Sequence, residues 1–417
     1  MIEKKAGLIG KYIKTTYSKE IYAFLFSKTK YENYIIKTQE QLDEFFTKKD
    51  FSFVNVTNPY KKTVISYLDK TSNMVKKTGV CNLIINKKGI LTGFNTDYYG
   101  FYSMLKKHQI KIKDKSFLIL GNGATASTVK CVLEDRGAKS ITIACRNIKN
   151  PGEVLFENTK KKDVEIIINT TPVGSKIKDK AIVKISDFPK LETFIDVVYH
   201  PYRTESMIEA KEQGKGAIGG LDMLIYQAML TYCLVTKSVI PEIVLNFTKK
   251  SLVLRHTNLI FIGLPTSGKT TVGKKLKQEL DIKCLDTDLM IEKALHKKVR
   301  TIINEYGEEF FRETEEVLVK QIAKLEGVII STGGGTIIKK ENYKQLARNG
   351  IFVYLKKTNF DDFVPDKNRP LVKSKDDIKK LYKQRNPIYE KAADITISAE
   401  NDMATIIEEV KSAIFNS

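Results

Sequence analysis

Residues 262–270 read Ile262-Gly263-Leu264-Pro265-Thr266-Ser267-Gly268-Lys269-Thr270. The run satisfies Gly-x-x-x-x-Gly-Lys-Thr, and its flanks decide what it is. The apolar NLIFI before it reads as a buried strand, and TTVGKKLKQEL after it as an amphipathic helix. A strand, a glycine-bounded turn from Gly263 to Gly268 and a helix, in that order, let backbone amides wrap phosphates. Lys269 is then placed to reach the β- and γ-phosphates, the Thr270 hydroxyl to take Mg2+, and Thr271 to open the helix beside them. This fixes an α/β fold with a parallel sheet for the second half of the chain, and ATP as its ligand. It does not say which hydroxyl receives the phosphate.

The acceptor side is read from shorter motifs downstream. LDTDLMIE presents Asp286 and Asp288 just beyond a strand, and alternation along that strand is expected to put both on one face. One would then suit the metal and the other the acceptor hydroxyl. FFRETE supplies Arg312 with Glu315 one helical turn later, a pair able to hold the guanidinium still. STGGGT offers Gly333, Gly334 and Gly335, a backbone that can approach a ligand closely. KNRPLV and KQRNPIYEKAADI contribute Arg369 and Arg385, and a final amphipathic helix is expected from Asp402, its N-cap, to Phe415.

A second phosphate-binding turn lies in the first half. FLILG reads as a buried strand and ASTVKCVLEDRG as a helix closed by Gly137, with Gly121-Asn122-Gly123-Ala124-Thr125-Ala126 between them. SITIAC, VEIIINTTPVG and TFIDVVY continue the alternation of a parallel sheet. Where NAD-binding folds place an acid at the end of the second strand, this chain has Cys145-Arg146-Asn147 with Lys149 nearby. An arginine there suits a 2′-phosphate and favours NADP over NAD. Ahead of this domain, NVTNPYK ends in Lys61 and GFNTDYYG carries Asp97. Either can serve the proton transfer that reduction of a carbonyl needs.

The bulk properties set limits. The 417 residues exceed one core, at roughly 150 residues per domain. Hydrophobic residues at 42% and charged ones at 29% describe a globular protein, and no apolar run approaches the ~20 residues of a membrane helix. The net charge of +21 is almost all lysine spread from end to end, which argues for a solvated surface and against nucleic acid as a partner. Five scattered cysteines without a Cys-x-x-Cys pair, and a first stretch without an apolar signal core, lead us to expect a cytoplasmic protein with reduced thiols. Four dispersed histidines indicate no zinc site.

The ordered runs VNVTNPYK, GVCNL, GFNTD, LGNGATA, INTTPVG, IDVVYHP and GGLDMLIYQA resemble shikimate dehydrogenase across essentially residues 1–247. The resemblance implies a substrate domain over 1–97, joined by a returning helix over about 221–247, and a Rossmann NADP domain over 98–220. It places the catalytic pair on Lys61 and Asp97 and the substrate-carboxylate hydroxyls on Thr16 and Ser18 in KTTYS. Further substrate contacts fall on Thr57, Asn82, Tyr199 and Gln227. Cofactor contacts fall on Gly121, Gly123, Ala124, Thr125, Ala126, Arg146, Asn147 and Gly220. Thr16 departs from the family's usual serine, which keeps the hydroxyl and adds a methyl.

The second-half motifs, in their order, resemble shikimate kinase over 257–417. By that resemblance Thr270 and Asp286 hold Mg2+, the latter through water, and Asp288 receives the acceptor hydroxyl. Arg312, Gly334 and Arg385 bind the substrate carboxylate, and Arg369 on the lid meets the transferring phosphate. The lid segment KKTNFDDFVPDKNRPLV is a few residues short and lacks an arginine often found ahead of it. The implied protein is a bifunctional enzyme that reduces 3-dehydroshikimate with NADPH and phosphorylates the shikimate formed. Its partners are small molecules, not nucleic acid or membrane. A non-catalytic metabolite sensor built from the same domains would show eroded catalytic positions or an added DNA-binding module. Lys61, Asp97, Lys269, Asp286 and Asp288 are all present.

Overall fold

The computed structural model describes residues 4–13, 16–26, 29–159, 163–361 and 374–416. The chain divides into two units, Met1–Lys249 and Lys250–Ser417.

The first unit holds two sheets. One takes β1 (Lys4–Gly10), β2 (Thr29–Ile35), β3 (Phe53–Val56), β4 (Lys70–Thr71), β5 (Leu83–Lys87) and β6 (Ile90–Phe94) in the order β2-β1-β3-β5-β6-β4. It is mixed: β1 runs parallel to β2 and β3, while β5 runs antiparallel to β3 and β6. The β5–β6 hairpin turns on Lys88 and Gly89, at φ of 53° and 84°, the signs a two-residue type I′ turn requires.

The other sheet takes β7 (Ser116–Leu120), β8 (Ser140–Cys145), β9 (Glu153–Leu155), β10 (Ile166–Asn169), β11 (Thr193–Asp196) and β12 (Gly216–Ile218). All its pairings are parallel, in the order β12-β11-β10-β7-β8-β9. The unbroken apolar run of β7 follows from burial on both faces. Phe117 and Ile119 pack with Val129, Val132 and Ile168 on one side, Leu118 and Leu120 with Ile167, Phe194 and Met207 on the other. Burying each such side chain stabilises by about 1.5–3 kcal/mol. The strand order reverses between β7 and β10, which opens a ligand crevice at their carboxyl ends. The helix Leu221–Thr236 packs along the helix Thr96–Lys107, and Gly100 permits the approach: a Cβ there would meet the Met223 carbonyl at 2.6 Å.

The second unit is one five-stranded parallel sheet of β13 (Asn258–Ile262), β14 (Lys283–Asp286), β15 (Val328–Ser331), β16 (Gly350–Lys356) and β17 (Ile395–Ser398), ordered β14-β15-β13-β16-β17. Its last helix, Met403–Asn416, is capped by Asp402, whose carboxylate accepts from Thr405 N at 3.0 Å. The segment NFTKKSLVLRHTN lies mostly in a 15-residue helix, Glu242–His256. Lacking Gly and Pro, it has nothing to break helical hydrogen bonding, and it buries Thr248, Leu252 and Val253. Among the described residues no helix is long and apolar enough to cross a membrane.

Candidate active sites

In the first unit Lys61 follows β3, its carbonyl held by Cys81 N at 2.8 Å. Asp97 sits in the first turn of the helix Thr96–Lys107, which Asn95 caps by accepting from Tyr98 N at 3.2 Å. Thirty-six residues apart in sequence, the two meet with Lys61 Nζ 2.6 Å from Asp97 Oδ2. Their side chains are 13% and 9% exposed, so solvent screens the pair little. Asn82 Nδ2 donates to Asp97 Oδ1 and to Thr96 Oγ1, both at 2.9 Å, and its Oδ1 accepts from Thr96 N at 2.6 Å. Thr96 Oγ1 passes the chain on to Gln227 Oε1 at 3.3 Å. Across the pocket Thr16 Oγ1 donates to Ser18 Oγ at 2.9 Å. The Tyr199 ring packs 5.1 Å from that of Tyr17, and burial pushes the Tyr199 phenol up from its ordinary value.

A cavity of about 170 Å³ gathers these groups: Thr16, Ser18, Thr57, Lys61, Asn82, Asp97, Tyr199 and Gln227 all line it, with Thr125 and Gly220. It also contains residues that sequence reasoning passed over. Asn55 is one, buried and accepting from Tyr31 OH at 3.0 Å. Its signal was available, since Asn55 stands two residues before Thr57, which follows directly on β3, and alternation carries the two to one face.

The glycine-rich turn follows β7. Gly121 has φ of 102°, and a Cβ there would meet Thr171 Cγ2 at 2.8 Å. Gly123 caps the helix Ala124–Asp135 and is exposed, and a Cβ on it would meet nothing within 4 Å. Ala124, Thr125 and Ala126 form the first turn. Gly220, which caps the helix Leu221–Thr236, would put a Cβ 2.1 Å from the Val197 carbonyl. Arg146 and Asn147 follow β8, and Asn122 Nδ2 donates to the Asn147 carbonyl at 3.0 Å. An open helix N-terminus with an exposed arginine one strand away fits a dinucleotide with a 2′-phosphate. Sequence reasoning missed Glu153 in this region. Burial pushes its carboxyl up, but hydrogen bonds from Lys149 N, Asn150 and Asn122 outweigh that and bring it down to about 2.

In the second unit the loop Gly263–Thr270 joins β13 to the helix Lys269–Leu280, with φ of 145° at Gly263 and 85° at Gly268. Lys269 Nζ lies over the loop and donates to the carbonyls of Gly263 and Leu264 at 3.0 and 2.8 Å. Thr270 Oγ1 donates to Asp286 Oδ2 at 2.6 Å, and Thr271 continues the first helical turn. Among the described residues no three His, Cys, Asp or Glu side chains gather for a metal. A hydroxyl, one carboxylate and substrate phosphates fit Mg2+, which keeps most of its own waters.

The alternation expected for Asp286 and Asp288 is corrected by the structure. The strand ends at Asp286, which caps the helix Thr287–Leu295 by accepting from Leu289 N at 3.1 Å. Asp288 therefore stands in the first helical turn and faces the glycine run. A Cβ on Gly333 would meet its Oδ1 at 2.6 Å. Arg312 Nη1 donates to Glu315 Oε2 at 2.9 Å, and its Nη2 donates to Glu308 Oε1 at 3.0 Å, a second carboxylate the sequence reading passed over. Gly335 lies flat against that guanidinium, and a Cβ on Gly334 would come within 3.3 Å of Arg385 Nη1. Tyr389 OH donates to the Gly334 carbonyl. Asp288, Arg312, Gly334 and Arg385 thus converge on the three glycines, while Arg369 and residues 362–373 of the short lid lie outside the described residues.

A Lys–Asp pair in a cavity shared with a dinucleotide-binding turn defines an oxidoreductase, and the loop of the second unit a P-loop phosphotransferase. Residues 8–84 match the shikimate dehydrogenase substrate-binding domain and residues 265–415 match shikimate kinase. The chain is 34% identical over 238 residues to the shikimate dehydrogenase (NADP+) of Clostridium beijerinckii, covering 54% of this chain and 88% of that one. Among solved structures it is similar to a chorismate mutase/shikimate 5-dehydrogenase fusion protein from Clostridium acetobutylicum, at 29% identity and a TM-score of 0.57, over 60% of this chain and 98% of that one. It is also similar to the shikimate 5-dehydrogenase of Thermus thermophilus in complex with NADP(H) and shikimate, at 25% identity and a TM-score of 0.52, over 60% and 99%. The chain belongs to the shikimate dehydrogenase family and carries a shikimate kinase domain behind it. It is a bifunctional shikimate-pathway enzyme with both activities, and its cofactors are NADP, ATP and Mg2+.

Proposed function

We propose that the first unit reduces 3-dehydroshikimate to shikimate with NADPH, and that the second phosphorylates shikimate to shikimate 3-phosphate with ATP. The observation that carries this is the single cavity holding the Lys61–Asp97 pair, the Thr16–Ser18 hydroxyls and the helix-turn residue Thr125 together. Bound NADPH supplies the hydride and bound Mg·ATP the phosphoryl group. Lys61 donates a proton or hydrogen bond to the oxygen on which negative charge develops, help worth about 10² to 10⁴ in rate. Asp97, fixed by Asn82, orients the neighbouring substrate hydroxyl. Thr16 and Ser18 hold the carboxylate, with Thr57, Tyr199 and Gln227 around the ring.

In the second unit Asp288 accepts the proton of the attacking hydroxyl. Arg312 and Arg385 clamp the substrate carboxylate against the Gly334 backbone, and the family resemblance gives Arg369 the transferring phosphate as its partner. The enzyme works in the cytoplasm; its described cysteines are all free thiols, which suits a reducing compartment.

The test is a single incubation of the whole chain with 3-dehydroshikimate, NADPH and Mg·ATP, followed by mass spectrometry. Shikimate 3-phosphate is the expected product. Untouched substrate would overturn the reading, and shikimate accumulating alone would overturn its second half.

A further inference from the structure

We infer that Glu153 is a positioning residue for NADP, holding the loop that offers Arg146 and Lys149 to the 2′-phosphate. This rests on the proposed placing of that phosphate beyond the end of β8.

Glu153 opens β9, the edge strand beside β8, and is 9% exposed. Its Oε2 accepts from Asn122 Nδ2 at 2.9 Å and from Lys149 N at 2.8 Å, while Oε1 accepts from Asn150 Nδ2 at 2.6 Å. Cys145 Sγ, at the last position of β8, lies 3.5 Å from the same Oε2. One carboxylate thus ties the middle of the glycine-rich turn to the loop after β8. Asn122 reinforces the tie through the Asn147 carbonyl at 3.0 Å.

The chemistry of the donors matters. Every group donating to Glu153 is neutral, although Arg146 and Lys149 stand within a few residues. Both cations are exposed, and neither makes an ion pair among the described residues. The carboxylate therefore orders the backbone that carries the cations without neutralising them, and they remain available to a dianionic group. An acid usually reads ribose hydroxyls at the end of the second strand; this chain has Arg146 there, and Glu153, on the next strand, is saturated by the glycine-rich turn and the loop after β8. Its negative charge works against phosphate binding, but across a solvated rim that repulsion is screened. Glu153→Gln keeps one acceptor oxygen but turns the other into a donor, so part of a three-donor, part-buried tie is lost; that loosening is the larger effect, because the loop must then be ordered when ligand binds.

The test uses the full chain, with calorimetry of adenosine 2′,5′-bisphosphate and steady-state kinetics with NADPH and NADH. Glu153→Gln should weaken the bisphosphate about tenfold, about 1.4 kcal/mol. It should raise KM for NADPH with kcat little changed, and leave the NADH constants as they are. An equal loss for NADPH and NADH would mean general support of the fold and overturn the inference, as would tighter or unchanged bisphosphate binding. Arg146→Ala serves as the reference. If it leaves the NADPH to NADH ratio untouched, the placing of the phosphate fails and the inference falls with it. If it shifts the ratio and Glu153→Gln does not, the inference alone fails. Should Glu153→Gln not fold, Asn122→Ser cuts the same tie and must move the ratio in the same direction; an unmoved ratio overturns the inference.

Discussion

Thr270 Oγ1 and Asp286 Oδ2 are joined by a hydrogen bond of 2.6 Å, which links the end of the phosphate loop to the end of β14. The hydroxyl and carboxylate proposed to share Mg2+ are therefore already adjacent before nucleotide arrives. Asp286 also caps the helix that carries Asp288. Asp286→Ala should raise the Mg2+ concentration for half-maximal kinase activity by about 10- to 100-fold, the usual cost of losing an outer-sphere partner. The dehydrogenase rate should not change. A titration of kinase rate against Mg2+ that superimposes on the wild type would remove Asp286 from the metal site.

The two reactions should separate cleanly. Lys61→Ala should cost reduction about 10² to 10⁴ in rate while phosphorylation of added shikimate continues. Lys269→Ala should do the reverse. Separate assays of each variant, with circular dichroism to establish folding, check this. Either change silencing both activities in a folded chain would contradict the assignment of one site to each unit.

What the sequence made legible, and what it did not, follows from how local each signal is. β7 and β13 could be read because burial on both faces leaves an uninterrupted apolar run. The two phosphate turns could be read because their glycines meet a local backbone need, as the φ of 102° at Gly121 and 145° at Gly263 bears out. Lys61 and Asp97 are different. Nothing between residues 61 and 97 makes them neighbours except the folding of the first sheet, so only the family resemblance paired them. Glu153 was invisible because Asn-Pro-Gly-Glu reads as a solvated turn, and its burial depends on how β9 docks on β8. Asp288 was placed by the wrong periodicity, since a cap at Asp286 had already turned the strand into a helix.

Asp222 is ringed by nitrogen groups, two of them lysine ammonium groups: Lys107 Nζ at 2.9 Å, His108 Nε2 at 2.8 Å and Lys249 Nζ at 3.2 Å. Burial pushes its carboxyl up, but the His108 hydrogen bond and the two lysines outweigh that and hold it well below the usual range. Burial also brings the Lys249 ammonium down to about 8. Asp222→Asn leaves two lysines close together without an anion between them. We expect a loss of about 3 kcal/mol for the first unit, at the low end for a broken buried pair because Lys107 is 32% exposed. Urea unfolding followed through dehydrogenase activity measures it, and a change under about 0.5 kcal/mol, the level of an ordinary surface substitution, would deny the cluster its role.

Asp196, at the end of β11, is 1% exposed, and burial pushes its carboxyl up to about 7 against hydrogen bonds from Val198 N, Thr204 and Asn169. The folded protein thus holds this proton more tightly than the unfolded chain, where a carboxyl titrates near 3.9. Its contribution to stability is full below about pH 4 and declines as pH rises through about 7. The gap corresponds to at most ~4 kcal/mol. The stability of the first unit relative to its Asp196→Asn variant should therefore fall between pH 5 and 8. A difference that stays flat or rises over that interval would mean that the three donors keep the carboxylate ionised throughout.

Thr266 takes φ of 70° inside the phosphate loop, a conformation that β-branched residues rarely adopt. The left-handed region costs a residue with a Cβ about 1–2 kcal/mol. Glycine would remove that cost but give back about 0.4–1 kcal/mol through the greater freedom of the unfolded chain. The balance favours Thr266→Gly by up to about 1.5 kcal/mol. For a unit of this size that is a rise in Tm of a few degrees, at about 2–4 °C per kcal/mol. The loop geometry is within reach of glycine, so the KM for ATP should hold. Calorimetric melting of the two proteins, with and without Mg·ATP, decides the matter. A lower Tm in the variant would show that the threonine methyl or hydroxyl makes a contact worth more than the strain. An unchanged Tm with a raised KM would show that the strain is what keeps the loop open to phosphate.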